Sequence, residues 1–480
     1  MNSAYPCIHE VSAQVFLYER RRARGLPLTL ADLAEEEIDL LAPPGVDFVW
    51  LMGVWTTGPR SLAQARHDPG MRRRYDEALP GWTYQDVVSS PFAIAAYRVS
   101  PVLGGDEALA HVRRRLAARG VRLLLDFVPN HLGLDHPWVR ERPDLIVKPP
   151  HGRRDLGFMA NHRWLAHGRD PYFPPWVDTA QVDYRSAAAR TAMEETLGAI
   201  LDRCDGVRCD MAMLLLEDVF WETWRDAPLP PDPARGEFWP SVIARARDRA
   251  RQDGRSVLFL AEAYWGREYD LQQQGFDFTY DKALYDRLVH RDLAAVKAHL
   301  CADRDFLVRS ARFVENHDEP RAASIWHGQE TIAATVAAMT LPGLRLWFQG
   351  QERGLRVHPP VQIRRWPEEP ARDDVAAFWR RLLPILPHLR GDWTLLDAPP
   401  PLLAWTWDRG REGRWLCIIN VSDLARPFDT PVAIPGLIER TVTMRDLLSD
   451  RLTSVPGSDL RSGQTGLLIR PWQASIFALA

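Results

Sequence analysis

The stretch Val121–His131, VRLLLDFVPNH, decides the reading of this chain. Its apolar residues run without alternation and stop at Asp126, Asn130 and His131. A short run apolar on both faces is what a strand covered on both sides requires. Immediately before it lies Asp106–Arg119, acidic at its start, with Leu109, Val112 and Leu116 at helical spacing and Gly120 as the stop. The unit is therefore helix, glycine, buried strand, polar strand end. Similar runs recur at Ala13–Tyr18, Phe48–Trp55, Gly206–Asp210, Ser256–Trp265, Phe276–Asp281, Arg312–Asp318 and Leu344–Gly350. Helical patterns separate them, Ser186–Asp202 among them, with Ala189, Met193, Leu197 and Leu201 on one face. The alternation predicts an α/β fold, either a (β/α)8 TIM barrel or a doubly wound open sheet.

Two segments break the pattern. Residues 132–184 are rich in Pro, His, Trp and Arg and show little periodicity. A connection this long inside a compact domain is usually functional, so it reads as an inserted subdomain after strand 3. Beyond about Arg390 the helices stop. Leu402–Trp407, Arg414–Val421, Pro431–Ile434 and Gly466–Ala478 read as strands, with Gly410 and Gly413 punctuating a hairpin. The expected organisation is a catalytic barrel over 1–131 and 185–390, an inserted subdomain over 132–184, and a C-terminal antiparallel β-sandwich over 391–480.

The whole-chain properties exclude several classes. The 480 residues are 46% hydrophobic and 26% charged, ordinary globular composition, with a net charge of −3. No basic field is available to gather nucleic acid. Lys148, Lys282 and Lys297 are the only lysines, an arginine bias read as base composition. No apolar run is long enough to span a membrane, and the opening MNSAYPCIHEVSAQVF lacks a secretory pattern. Cys7, Cys204, Cys209, Cys301 and Cys417 are scattered and odd in number, which argues against a disulfide framework or a zinc site and for the cytoplasm. The 19 tryptophans are high for this length; the default for each is core, although a flat ring also suits the apolar face of a sugar.

In a parallel barrel the active site lies at the C-terminal strand ends. Strand three supplies Asp126, Asn130 and His131; strand four, GVRCDMAM, supplies Arg208 and Asp210; strand five, LFLAEAYW, supplies Glu262; strand seven, FVENHDEPR, supplies Glu315, Asn316, His317 and Asp318. A single carboxylate there can be a helix cap, but four successive ends carrying carboxylate with His or Arg are improbable as caps alone. DFVPNH, GVRCDMAM, AEAYW and FVENHDEP resemble, in order, the four short motifs of the alpha-amylase family, glycoside hydrolase family 13. QVDY at Gln181–Tyr184 and GQERG at Gly350–Gly354 resemble two further family segments.

The resemblance implies roles. Asp210 matches the catalytic nucleophile, Glu262 the general acid/base, and Asp318 the third carboxylate, which holds substrate hydroxyls. Arg208, two residues before Asp210 and so on the same side of an extended strand, can pair with it and keep it ionised. His131 and His317 match sugar-hydroxyl ligands, Asp126 a structural carboxylate, and Tyr97, in SPFAIAAYRVSP, is the candidate aromatic platform. A retaining glycosidase needs two carboxylates about 5–5.5 Å apart, the acid with a raised pKa. Where the family often carries Lys and His after the nucleophile this chain has Met213 and Leu214, so a less polar acceptor side is expected.

The expected function is thus a retaining hydrolase of α-linked glucans or gluco-oligosaccharides. The alternative is a transferase, phosphorolytic or isomerising enzyme using the same covalent glycosyl-enzyme; Met213–Leu216 could exclude water or simply pack the core. A catalytically dead binding protein is disfavoured because all three carboxylates are present. No cofactor is expected. Calcium is possible but not predicted: Asn130 is the one clear match to a family ligand. Asp135, Asp144, Asp155, Asp170, Asp178 and Asp183 are scattered among Arg153, Arg154, Arg163 and Arg169, with which pairing is the preferred reading.

Overall fold

A computed structural model describes residues 5–434 and 440–480. Eight parallel strands close into a barrel in chain order: β1 (Cys7–Ser12), β2 (Phe48–Met52), β3 (Arg122–Phe127), β4 (Gly206–Cys209), β5 (Leu258–Ala261), β6 (Phe278–Tyr280), β7 (Ser310–Arg312) and β8 (Leu344–Phe348). Closure between β1 and β8 rules out the open doubly wound sheet. Nearly every strand residue is buried, as strands covered by helices outside and side chains inside require. The strand register brings Arg208 of β4 level with Asp126 of β3, and Glu10 of β1 level with Trp50 of β2.

The first strand is not where the sequence placed it. Ala13–Tyr18 begins the helix α1 (Ala13–Arg24), and the strand is the preceding CIHEVS. A short apolar run cannot be told from a buried helix face by periodicity alone. Ala13, Val15, Phe16 and Leu17 form that face, the arginine-rich remainder faces solvent, and Gly25 at φ 65° ends the helix. The run Arg312–Asp318 is likewise offset: only Arg312 lies in β7, and the rest is the loop leaving it. The two helices singled out above form as Gly105–Ala117 and Ala187–Leu201, the second capped by Ser186, whose hydroxyl accepts from the amide of Ala189 at 3.2 Å.

After β3 the chain leaves the barrel. His131–Gly133 pairs antiparallel with Thr179–Gln181, and a hairpin joins Gly157–Ala160 to Arg163–Ala166. At the C-terminal end a six-stranded antiparallel sheet contains β9 (Asp392–Leu395), β10 (Leu402–Asp408), β11 (Arg414–Asn420), β12 (Thr441–Asp446), β13 (Leu452–Pro456) and β14 (Ala474–Leu479). Period-two alternation gives it two faces. Leu403, Trp405, Trp407, Cys417 and Ile419 join the barrel core; Leu402, Ala404, Leu416 and Ile418 form a second core with Phe428, Val432 and Ile434. The opposing layer is a short ribbon, Arg426–Pro427 with Leu468–Ile469. Pro431–Ile434, expected as a strand, is irregular: Val432 and Ile434 are buried, but its backbone is not in a ladder. Among the described residues no helix is long and apolar enough to cross a membrane.

Candidate active site

The site is organised by one guanidinium. Arg208 points into the barrel mouth and has no exposure. Its Nη1 donates to Asp210 Oδ1 at 2.6 Å, its Nη2 lies 2.7 Å from Glu262 Oε1, and Asp318 Oδ2 is 4.0 Å away. The flat faces are covered by aromatic rings, Trp50 at 5.2 Å and Phe92 at 5.3 Å, with Tyr280 at 5.7 Å. Burial opposes the charge on Arg208, but Glu262, Tyr280, Asp210 and Asp126 outweigh it and raise the pKa well above the ordinary value.

Asp210 and Glu262 each follow the last residue of a short strand, β4 and β5. Beyond Asp210 the chain turns sharply, with Met211 at φ 45°, ψ 44°, a left-handed conformation uncommon outside glycine. That turn aims the Met211 amide at Glu262 Oε2, 2.6 Å away, while the Tyr264 hydroxyl donates to Oε1 at 3.1 Å. Burial pushes the Glu262 carboxyl up to about 8; Arg208 opposes this, and Asp210 and Asp318 add to it. A shift in that direction suits a carboxyl that gives up a proton near neutral pH.

Asp318 stands in the loop after β7. Asn316 Oδ1 accepts from the amides of Asp318 and Glu319, both at 2.9 Å, and so shapes that turn. His317 Nε2 lies 2.9 Å from Asp318 Oδ2. The burial of the Asp318 carboxyl acts upward, but the His317 charge and hydrogen bonding and the Arg208 charge outweigh it and hold the group at about 2. The Asp318 side chain is 41% exposed, the open member of the trio.

Asp126 is buried beside Arg208, level with it across the β3–β4 pair. It accepts from Trp50 Nε1 at 3.1 Å and the Gly53 amide at 3.4 Å, and burial takes it to about 7. His131 is buried, lies 5.0 Å from the Trp176 ring, and has its pKa lowered by burial. Glu315 pairs with Arg321 at 2.7 Å below the site.

Two expectations need correction. Tyr97 is not the exposed ring platform. Its hydroxyl is bonded to the Val128 backbone at 3.0 Å, and its ring packs on Trp55. Phe92, five residues earlier, lies with Trp50 against Arg208 and His317, its ring 5.2 Å from the latter. Met213 and Leu214 do not line an acceptor side; with Leu215 and Leu216 they are core, because the chain after Met211 coils inward as a short 3-10 helix. The surface beside Glu262 is instead a cavity of about 530 Å³ lined by Asp170, Phe173, Met211, Tyr264, Trp265 and Lys282. Trp265, at φ 61° and 39% exposed, meets Tyr172 edge to face at 4.8 Å. Finally, sequence reasoning missed Glu10, Phe92, Tyr264 and Tyr280. Glu10 lay just ahead of the misplaced first strand, and Tyr264 inside a quoted motif.

The residues that could hold calcium are committed elsewhere. Asn130 Oδ1 accepts from Gln181 Nε2 at 3.0 Å. Asp170 Oδ1 accepts from the amides of Tyr172 and Phe173, at 2.7 and 2.9 Å. Both oxygens of Asp183 accept from Arg185 at 2.9 Å, and that buried guanidinium also donates to the carbonyls of Trp224, Ala227 and Pro228. Asp144 and Asp155 pair with Arg142 and Arg153. Calcium takes 6–8 oxygens, and this donor set does not fit it: these oxygens already accept from a guanidinium and from amides, and among the described residues no three His, Cys, Asp or Glu side chains come together to hold an ion.

The family model "Alpha amylase, catalytic domain" matches residues 45–374. Alpha-amylase MalA of Haloarcula japonica is 23% identical over 359 residues, 73% of this chain and 44% of that protein. The chain spans about half the length of the curated relatives it matches. Among solved structures, a noncanonic maltogenic alpha-amylase, AmyB from Thermotoga neapolitana, superposes with a TM-score of 0.69 at 18% identity, covering 100% of both chains. An alpha-amylase from Lactobacillus plantarum gives 0.67 at 20%, covering 99% of both. These likenesses bear on the fold, and the family match covers well over half of the sequence: the chain belongs to the alpha-amylase family.

Proposed function

We propose that the protein is a retaining glycoside hydrolase acting on α-linked glucans or gluco-oligosaccharides by double displacement. Asp210 is the nucleophile, Glu262 the general acid and then base, and Asp318 the carboxylate that holds substrate hydroxyls. The observation that carries this reading is the shared guanidinium. Arg208 contacts both Asp210 and Glu262, and a cation bridging two carboxylates holds a prospective nucleophile and acid on the same side of the barrel mouth. Their neighbours then divide the work. Glu262 keeps its proton at neutral pH, so it can protonate the leaving oxygen. Asp210, paired with Arg208, attacks the anomeric carbon. Glu262 next takes a proton from water, which resolves the covalent glycosyl-enzyme. Phe92 offers a ring to the sugar at the cleavage point, with His131 and His317 as hydroxyl ligands and Asp126 bracing β3.

The barrel over 1–131 and 185–390 carries this machinery, with 132–184 as a roof subdomain and 391–480 as a β-sandwich. Cys7, Cys204, Cys209 and Cys417 are buried and unpaired, which supports a cytoplasmic setting. A second reading, glycosyl transfer, is favoured by the cavity beside Glu262, whose Trp265 and Phe173 offer an acceptor sugar apolar surface. The test is product analysis on maltooligosaccharides, amylose, trehalose and sucrose, with and without phosphate, following the first product by proton NMR. An α-anomer formed before mutarotation is expected; a first-formed β-anomer refutes double displacement. Products longer than the substrate favour transfer.

A further inference from the structure

Strand β1 carries a carboxylate that the scheme above does not use. Glu10 has no exposure. Its Oε1 lies 2.5 Å from His317 Nδ1, and its Oε2 has no hydrogen-bond partner among the described residues. A buried carboxylate with one oxygen unsatisfied is costly, and native structures keep such groups for a reason. A glutamine at this place could accept the same Nδ1–H without bringing a charge, so what the carboxylate adds is the charge.

We propose that Glu10 is a positioning residue: by accepting the Nδ1 proton of His317 it holds that ring as an imidazolium whose Nε2 edge stands 2.9 Å from Asp318 and stays open to a sugar hydroxyl. The ring is fixed on its faces as well, by Trp50 at 5.5 Å and Phe92 at 5.2 Å, and the His317 carbonyl is held by His358 Nε2 at 2.6 Å. Glu10 is itself tied into the barrel wall, since its carbonyl accepts from the Gln349 amide at 2.8 Å beyond β8. The result is a line of alternating charge, Glu10, His317, Asp318 and Arg208, running from β1 across the barrel mouth to β4.

The charged and titratable groups facing this line are Asp126 from β3, Arg208 from β4, Tyr280 from β6, Glu315 beside His317, and His358 after β8. Burial acts to discharge His317, but Asp318 and Glu10 outweigh it and keep its pKa well above the ordinary histidine value. A charged ring keeps Asp318 ionised and leaves it only an acceptor, ready for two sugar hydroxyls. With a neutral ring, Nε2 could itself become the acceptor and compete for those protons. This inference deepens the glycosidase reading and rests on it for its kinetic arm alone.

The experiment is an imidazole nitrogen NMR titration of the full chain, with the His317 signal identified by its loss in His317→Gln, together with the pH dependence of kcat/KM on a maltooligosaccharide. In the wild type His317 is expected to stay doubly protonated well above the ordinary histidine range, and in Glu10→Gln to lose its proton about 1–3 pH units earlier. The variant's kcat/KM is expected to fall about tenfold at pH 8 and far less at pH 5.5, where Asp318 alone keeps the ring charged. A Glu10→Gln ring that titrates as in the wild type overturns the inference, as does a uniform loss of activity at every pH. If Glu10→Gln does not fold, the wild type still decides: a His317 that is neutral at pH 7 overturns it. A wild type without activity on any α-glucan would defeat the functional reading and leave the titration result standing.

Discussion

Replacing Arg208 by methionine tests the arrangement at its centre. Methionine fills much of the space between Trp50 and Phe92 but brings no charge to Asp210 and Glu262. At an effective dielectric constant of 20, one unit pair at the observed 2.6 Å is worth about 6 kcal/mol gross. Desolvation of a fully buried guanidinium offsets several kcal/mol of that, so the pair adds little net stability. Removing one partner is different, because the carboxylates stay behind with no cation between them, and that costs about 3–5 kcal/mol. In a chain of this length about 1–2 °C of melting temperature accompanies each kcal/mol, so Arg208→Met should melt about 3–10 °C below wild type at pH 8. The pH dependence carries the sharper information. Glu262 has a raised folded pKa, so its contribution to stability is fully present below the unfolded value of about 4.3. That contribution is lost as pH rises through about 8. Without Arg208 the carboxylates take up protons more readily, so the deficit should shrink at pH 5 and widen at pH 8. Calorimetry at both pH values, with kcat/KM alongside, measures this. A variant as stable as wild type at pH 8, or a deficit independent of pH, would refute the reasoning.

Other outcomes follow from the same geometry. Asp210→Asn should fold normally and lose at least about a thousandfold in kcat, some 4 kcal/mol of transition-state stabilisation; near-wild-type turnover would remove Asp210 from the nucleophile's place. The rate should decline as pH rises through about 8, where Glu262 gives up its proton, and a profile flat to pH 10 would show that another group is the acid. Dialysis against chelator should change neither melting temperature nor activity, because Arg185 and Gln181 occupy the oxygens that an ion would need. A drop restored by calcium would contradict this, since an ion that binds only the native state raises its melting point.

What could be read in advance was what depends on spacing along one strand. Arg208 and Asp210 are two residues apart and had to share a side, and Glu262 ends a run too apolar to be anything but a buried strand. What could not be read depends on which strand stands beside which. Glu10 meets His317 across 307 residues of chain because β1 and β7 flank β8 in the closed barrel. Phe92 and Tyr97 both lie in the loop-and-strand segment after β2, and only the tertiary fold turns one ring toward Arg208 and the other toward Val128. Met213 and Leu214 followed Asp210 closely enough to suggest the acceptor side, but the left-handed turn at Met211 sends them into the core. Composition was silent on pairing: an arginine excess looks the same whether its members face solvent or, like Arg185, sit buried against a carboxylate.

The charges of the site explain why five acidic residues can share one barrel mouth. Glu262 and Asp126 are shifted upward to about 8 and about 7, which spares the interior much of their charge near neutrality. Asp210, Asp318 and Glu10 face two cations, Arg208 and His317, at distances from 2.5 to 2.9 Å. Burying a carboxylate alone is prohibitive, and the structure meets that cost by pairing three and shifting two. Reaction would move a negative charge off Asp210 onto a sugar bond while Glu262 loses its proton, so the net charge among these groups is unchanged as the glycosyl-enzyme forms. Arg208 touches both carboxylates, and the charge it leaves at one end it gains at the other. A fixed cation midway between the two can therefore stabilise the start and the end of that step without moving, which is the arrangement a preorganised site requires.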